Sequence, residues 1–174
     1  MSGSLVLVSE TIVSSPVATV SLTGIDTTYD NYYVVFNDVF TNSDDDIQIR
    51  VTTSGTADSD SEYDYGSLDL KTSGTYGNTN AANATQFDFC AGVGTSGANS
   101  YNGEMYLFNF ASATEYSYVT MENVTTRTDT SDELFGFQGG GTHTVAETND
   151  GIHFFTSFGN NITGGTFKMF GIVK

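Results

Sequence analysis

Residues 32–40 read YYVVFNDVF, and after six polar residues the stretch 47–52 reads IQIRVT. The first run is almost continuously apolar, which is typical of a central strand buried on both faces of its sheet. In the second run, Ile47, Ile49 and Val51 alternate with polar residues, so one face of that strand is predicted to be dry and the other wet. Two neighbouring strands joined by a polar turn predict a β protein.

The period of two continues on both sides of this pair. Further strand candidates cover 5–9, 16–22, 62–70, 85–91, 104–110, 116–124, 133–137, 151–158 and 166–173. Polar segments rich in Gly, Asn, Asp, Ser and Thr separate them, and helix signals are nearly absent. About eleven short strands with turns between them are typical of an antiparallel two-sheet sandwich, and we expect a jelly-roll-like one. Residues 52–61 and 71–84 are predicted to be long loops within a single domain that spans 1–174.

The chain is strongly acidic. Among its 174 residues it has 21 Asp and Glu against 5 Lys and Arg, which gives a formal net charge of -16. The basic residues are scattered, whereas nucleic-acid binding needs clustered cations that neutralise phosphates. We therefore expect no nucleic-acid partner and no anionic membrane partner. Acidity of this kind favours solubility at high copy number and suits display on an outer surface.

Targeting signals are not apparent. Residues 1–10 read MSGSLVLVSE and lack the basic segment and long apolar core of a secretory signal. No apolar run approaches the roughly 18 residues of a membrane-spanning helix. We expect a protein that is made in a cytoplasm.

The sequence offers few groups for catalysis. Cys90 is the single cysteine, which excludes an intrachain disulfide, and its apolar neighbours predict a buried, inert thiol. His143 and His153 are each isolated in the sequence, and His153 is predicted to lie on a sheet surface or edge, opposite the Ile152 and Phe154 side chains. Because no nucleophile and base form a recognisable pattern, we expect no catalytic residues and a protein that is not an enzyme.

Two acidic clusters each permit two interpretations. The first has acids at every second position: Asp58, Asp60, Glu62 and Asp64. In a strand this spacing places all four on the solvent face, whereas in a turn it could wrap oxygens around calcium, although the EF-hand pattern is not met. The three aspartates at 44–46 are interpreted first as a solvated loop and second as a cation site. The solvated interpretations are preferred, so the sequence predicts no metal site and no cofactor.

Three consecutive glycines at 139–141 do not form a phosphate-binding loop. The Lys-Ser/Thr pair and helix that such a loop needs do not follow. A flexible loop between two strands is predicted instead.

Tyrosine is concentrated in the stretches 29–33, 63–65 and 116–118. Tyr is favoured at protein interfaces because it is large, has few rotatable bonds and can hydrogen-bond, and it also stacks on sugar rings. The alternative is that these rings simply fill strands.

Two segments, 17–39 and 157–172, resemble a known kind of protein. They read VATVSLTGIDTTYDNYYVVFNDV and SFGNNITGGTFKMFGI. An apolar strand, the TGIDTTYDNY corner, a second apolar strand and this final segment together resemble small virion proteins of phages of aquatic bacteria, of the capsid-decoration or tail type. The resemblance covers roughly the first and last quarters of the chain.

These two segments also predict local structure. Tyr29 and Tyr32 are expected to anchor the corner after Gly24. Gly164 and Gly165 are predicted to form a two-residue hairpin turn between the last two strands, and the C-terminal strand is expected to pair within a sheet.

The resemblance implies a jelly-roll sandwich and supplies no catalytic residues. With the acidic charge, it leads us to expect a capsid decoration (cement) protein in the virion. Such a protein would bind the major capsid protein on the outside of an icosahedral head and associate with itself as a homotrimer. The alternative is a tail or fibre component that binds a host surface glycan. A hydrolase or a free carbohydrate-binding module is the third possibility.

Overall fold

The computed structural model describes residues 4–74, 76–90, 92–127 and 133–173. These residues form strands, turns and one 3-10 turn at Gly97–Asn99, with no α-helix among them. The strands are β1 (Leu5–Val13), β2 (Thr19–Thr23), β3 (Asn31–Thr41), β4 (Ile47–Thr53), β5 (Thr56–Ala57), β6 (Tyr63–Lys71), β7 (Gly77–Ala84), β8 (Phe87–Asp88), β9 (Tyr101–Phe108), β10 (Ser117–Arg127), β11 (Glu133–His143), β12 (Gly151–Thr156) and β13 (Ile162–Ile172). The predicted all-β class is confirmed.

The strands form two antiparallel sheets that pack as a sandwich. The first sheet has eight strands in the order β1-β13-β3-β9-β10-β11-β6-β7. The second has the order β2-β12-β4-β5, and β8 also pairs with β4. Loops such as those between β5 and β6 and between β11 and β12 cross from one sheet to the other, and side chains from distant segments can meet there.

The strand order contains a jelly roll. When β1, β2, β3, β4, β8, β9, β12 and β13 are numbered from one to eight, they lie as 1-8-3-6 in the first sheet and 2-7-4-5 in the second. This is the order of an eight-stranded double Greek key. The hairpins β6–β7 and β10–β11 are insertions that lengthen the first sheet by four strands. The predicted jelly-roll-like sandwich is therefore confirmed, with an extension that the sequence did not indicate.

The core lies between the two sheets and is rich in aromatic rings. Phe36 of β3 stacks on Tyr101 with ring centroids 4.7 Å apart, and it also meets Phe154 of the opposite sheet at 5.9 Å. Phe154 in turn packs on Phe167 of β13 at 4.9 Å. All four rings are fully buried, and each such side chain stabilises the fold by about 1.5–3 kcal/mol.

The sheet extension has a buried aromatic layer of its own. Tyr63 of β6 meets Phe87 edge-on at 4.9 Å, and Phe87 stacks on Phe89 at 5.6 Å. The neighbouring Cys90 is buried as predicted, and burial raises the pKa of its thiol. A Cβ at Gly141 would lie 2.6 Å from the Phe87 ring, so only glycine allows this ring to approach β11.

Several predicted local structures are wrong. The glycines at 139–141 lie inside β11 rather than in a flexible loop, because the closely packed extension requires small residues there. Gly164 and Gly165 lie inside β13, at two register shifts against β3, and form no hairpin turn. The reason is that β12 and β13 belong to different sheets, so the chain between them crosses the sandwich.

The strand predictions also need correction in three places. The loop predicted at 71–84 contains β7, whose Asn, Ala and Gly residues lack strand propensity but pair with β6 through the backbone. The loop predicted at 52–61 contains the short β5. Of the strand predicted at 85–91, the structure pairs Phe87–Asp88 with β4, and Ala91 lies outside the described residues.

β3 is central in its sheet, as predicted, but it is not buried on both faces. Tyr32, Val34 and Phe36 point into the core, while Tyr33 and Val35 are half-buried on the outer face. The predicted Tyr corner is confirmed. The Tyr32 hydroxyl donates to the carbonyl of Asp26 and accepts from its N–H, both at 2.8 Å.

Candidate functional site

Four side chains that can ligate a cation meet at one end of the sheet extension: Asp58, Glu62, His143 and Glu147. We call them the acid–histidine cluster. His143 is the last residue of β11 and is fully buried. Its Nε2 lies 3.0 Å from Oδ2 of Asp58 and 3.4 Å from Oε2 of Glu62. Donor atoms of Asp58, His143 and Glu147 all lie within 4.8 Å of one another.

Strand pairing places the first three of these residues together. His143 is directly opposite Tyr63, the first residue of β6, so the loop that precedes β6 lies beside the end of β11. The Thr144 N–H donates to the Glu62 carbonyl at 2.8 Å and fixes this loop to the strand end. The loop residues Asp58 and Glu62 therefore face the imidazole.

Glu147 comes from a third segment. It lies in the connection from β11 to β12, which crosses from the first sheet to the second. The Thr53 hydroxyl of β4 donates to Oε1 of Glu147 at 3.2 Å. The cluster thus joins the β5–β6 loop, the end of β11 and the crossover to β12. It borders a groove of about 420 Å³ that is open to solvent.

The carboxylates in the cluster affect one another. Burial acts to raise the pKa of Asp58, but hydrogen bonds from the Asp60 N–H and from His143 outweigh it, so that pKa is lowered. Burial and the adjacent Asp58 carboxylate raise the pKa of Glu62. Both carboxylates face the imidazole of His143, and within the described structure neither forms an ion pair with a lysine or arginine.

Among the described residues, all polar contacts of the His143 ring are within this cluster. Its Nδ1 is buried and has no hydrogen-bond partner among the described residues. Within the described structure, Nε2 is therefore the one ring nitrogen that makes polar contacts, and these are to the carboxylates of Asp58 and Glu62.

The preferred interpretation of the first acidic cluster, a strand face, is wrong. Asp58, Asp60 and Glu62 lie in a loop and not on a strand face, and only Asp64 lies within β6. Sequence reasoning also treated His143 as isolated and did not single out Glu147. Neither could be connected to residues 58–62, because that proximity depends on the pairing of β6 with β11.

The aspartates at 44–46 are also not a purely solvated loop. Asp45 is buried, and it accepts hydrogen bonds from the Ser157 hydroxyl at 2.8 Å, the Phe158 N–H at 3.1 Å and the Asn160 side-chain amide at 2.9 Å. Burial acts to raise the pKa of Asp45, but these hydrogen bonds outweigh it, so the pKa is lowered. Asp45 therefore holds the loop between β12 and β13 in place.

That loop presents an exposed aromatic side chain. Phe158 is 77% exposed although its own N–H is bound to Asp45. It precedes β13, the strand that pairs with β1. A large apolar group on a rigid, solvent-facing loop is typical of an interface anchor.

His153 lies on the outward face of β12, opposite Ile152 and Phe154, as predicted. It is not at an edge, because β12 pairs with β2 and β4. The ring is half-buried and bonds the Ser21 hydroxyl at 2.8 Å. Burial, with the nearby Arg50, lowers the pKa of His153. Ser21 and His153 are thus a hydroxyl beside an imidazole, but no carboxylate is hydrogen-bonded to His153 among the described residues.

A second groove, of about 480 Å³, lies on the outer face of the eight-stranded sheet. Glu104 of β9 and Glu122 of β10 are directly opposite each other in its wall. The Tyr33 hydroxyl donates to Glu104, and the Gln138 amide donates to Glu122. The Tyr33 ring packs against that of Tyr106 with centroids 4.9 Å apart. Neither glutamate could be identified from the sequence, because only the cross-strand register brings the two together.

The tyrosine-rich stretches therefore divide between two roles. Tyr32 and Tyr63 are buried and fill strands, whereas Tyr116 and Tyr118 are exposed. Tyr33 is half-buried at the outer face.

The two ends of the eight-stranded sheet are open edges. Among the described strands, β1 forms one edge and pairs with β13 alone, and β7 forms the other and pairs with β6 alone. Large apolar side chains of β1 are exposed: Leu5 52%, Val6 41%, Leu7 50% and Ile12 66%. The one charged residue of β1, Glu10, is paired with Lys168 at 2.9 Å. β7 reads GNTNAANA and has no large apolar side chain.

A scan against protein-family models finds no match to this chain, and a search of curated proteins finds none either. Among the described residues, no helical segment has the length and hydrophobicity that crossing a membrane requires.

Proposed function

We propose that the protein is a structural, non-catalytic subunit of a bacteriophage particle, a capsid decoration protein on the outer surface of an icosahedral head. The observation that carries this proposal is the β1 edge. Natural proteins protect an open edge strand with charges, proline or a covering segment, because unpaired backbone groups beside apolar side chains invite another chain to bind. β1 has little such protection: within the described residues it has one charge, Glu10, one register shift between Leu7 and Ser9, and no proline.

The charges of the molecule support a protein partner for this edge. The net charge is -16, yet β1 contributes a single acid that Lys168 already neutralises. The acidic groups lie mainly in loops such as 44–46 and 58–62. A low-charge apolar edge in an acidic chain suits a protein surface and does not suit nucleic acid or an anionic membrane.

The partner is then the major capsid protein, with β1 and the Phe158 tip as the contact surface. Copies of the chain grouped as a homotrimer around a capsomer would bind with the added strength of several linked contacts. The acidic loop at 58–62, beside the sheet extension, would face outward and keep a densely decorated particle soluble.

Copy number on purified particles tests this function. Gel densitometry should give a number of copies similar in scale to that of the major capsid protein. A few copies per particle would contradict decoration and favour a tail location. Sedimentation of the isolated protein checks the homotrimer.

One observation favours a second function, binding of a host surface glycan as a tail or fibre component. The outer-face groove combines a carboxylate pair held by hydrogen bonds with the adjacent Tyr33 and Tyr106 rings. Carboxylates accept hydrogen bonds from sugar hydroxyls, and aromatic rings pack on sugar faces. Neutral glycans are the expected ligands, because Glu104 and Glu122 repel anionic ones.

A glycan array with the isolated protein tests this alternative. Binding of neutral oligosaccharides that is lost in Glu122→Gln would support it. If no glycan on the array binds, the glycan function is rejected and the groove is assigned to a protein-facing surface.

A further inference from the structure

We propose that Asp58, His143 and Glu147 of the acid–histidine cluster bind a divalent transition-metal ion, with Glu62 as a further carboxylate beside the imidazole. The site is independent of the function proposed above. It departs from the sequence expectation of no metal site, because its ligands come from three segments that only the folded sheet brings together.

The distances in the cluster fit a shared ion. Ligand atoms that each lie about 2.1 Å from one ion stand roughly 3.0–3.4 Å apart in octahedral or tetrahedral geometry. The His143 Nε2 lies 3.0 Å from the Asp58 carboxylate and 3.4 Å from that of Glu62. Glu147, within 4.8 Å of both Asp58 and His143, can complete the set from the groove side.

The electrostatics of the cluster also favour a cation. Three carboxylates converge, and none of the described lysines or arginines forms an ion pair with Asp58 or Glu62. Asp58 and Glu62 both approach the same His143 nitrogen, so their like charges repel each other at close range. A divalent ion would remove this repulsion.

The donor set identifies the class of ion. Calcium takes oxygen ligands, whereas imidazole suits zinc, iron and related transition metals. The buried His143 nitrogen therefore favours Zn²⁺ over Ca²⁺ and over Mn²⁺, which also suits oxygen ligands. A metal-bound ring carries its proton on Nδ1, which has no acceptor among the described residues. Such missing outer support weakens metal sites by about 10–100-fold, so we expect an affinity lower by that factor than in a site whose histidine has an outer acceptor.

The bound ion would connect the two sheets. Asp58 and Glu62 precede β6 of the first sheet, and Glu147 lies in the crossover to β12 of the second. An ion bound in this cluster would hold the crossover to β12 against the sheet extension. Metal binding should therefore raise the melting temperature.

The experiment titrates protein freed of metal by EDTA and dialysis with Zn²⁺, Mn²⁺ or Ca²⁺, each alone, in a calorimeter. We expect one Zn²⁺ per chain, a rise in melting temperature, and Ca²⁺ affinity at least tenfold weaker. Glu147→Gln should lower the Zn²⁺ affinity at least tenfold and abolish the thermal shift. Glu115→Gln, an exposed acid outside the cluster, is the matched control and should behave as wild type.

Several outcomes would overturn the proposal. These are no saturable one-to-one Zn²⁺ binding by the wild type, Ca²⁺ binding as tight as Zn²⁺, or unchanged Zn²⁺ binding in Glu147→Gln. Glu147 is the chosen position because it is partly exposed and His143 is fully buried, so the variant should fold without metal. Its melting temperature in EDTA, compared with the wild type, verifies this.

Discussion

β1 and β7 are the two edge strands of the same eight-stranded sheet, but the side chains they present at those edges are of opposite kinds. β7 lines its edge with Asn, Thr, Ala and Gly, and Asn83 there has a left-handed backbone, with φ of 53°. β1 exposes Leu5, Leu7 and Ile12. An edge of the first kind is protected against association, whereas one of the second kind favours it. The difference teaches that the two edges of one sheet differ in chemistry, and under the proposed function a partner covers the β1 edge.

The largest expected effect comes from adding charge to β1. Leu7→Lys combined with Ile12→Lys should reduce rebinding to particles stripped of this protein at least 100-fold, because both ammonium groups would have to be desolvated in the interface. Both side chains are at least half exposed, so folding should be unaffected. Co-sedimentation with the stripped particles measures binding.

Ala82→Lys on β7 is the matched control, since Ala82 is exposed on the other edge. It should bind like the wild type. Equal losses in the β1 and β7 variants would remove the distinction between the edges.

Removing the Asp45 carboxylate should have the next largest effect. Asp45→Ala leaves the donors of Ser157, Phe158 and Asn160 without their acceptor, which should destabilise the protein by about 2 kcal/mol. Urea denaturation measures this loss. Asp44→Ala, at an exposed neighbouring position, is the control and should change stability little. Equal stability of Asp45→Ala and wild type would show that Asp45 does not hold the Phe158 loop.

Truncation of the Phe158 tip should affect binding alone. Phe158→Ala should weaken particle binding about tenfold with no loss of melting temperature, because the ring contacts solvent in the isolated chain. Tyr76→Ala, a 75% exposed aromatic near the start of β7, is the counterpart at the other edge and should bind normally. A drop in both variants would indicate a general effect of exposed aromatic rings.

At low pH, the contribution of Asp45 to folding stability should be lost. The pKa of Asp45 is lowered in the folded state, so its stabilisation is present above the unfolded value of about 3.9 and is lost as the pH falls through the folded value. The stability difference between wild type and Asp45→Ala should therefore shrink below about pH 4. Denaturation curves at pH 7 and pH 3 measure it, and a difference that is constant with pH would contradict the assignment.

The sequence predicts the sandwich well because periodicity of two is a local signal. The alternation at Ile47, Ile49 and Val51 is confirmed, and all three residues are fully buried. The signal fails for β7, where Asn and Ala carry no hydrophobic pattern, and for the glycines at 139–141, where close packing and not flexibility requires small residues.

The candidate sites were less accessible to sequence reasoning. Asp58 and Glu62 are visible as an acidic cluster, but His143 joins them only through the register of β6 against β11. Glu104 and Glu122 are ordinary outward positions until β9 and β10 pair. Long-range register is set by the whole core, so no short stretch of sequence contains it.

Amide hydrogen exchange on intact particles tests the central claim most directly, with β7 as the internal reference for β1. If β1 is the covered edge, its amides should exchange at least tenfold more slowly in the particle than in the isolated protein, while those of β7 exchange equally in both. Equal exchange of β1 in the two states, or protection of β7 in its place, would contradict the account.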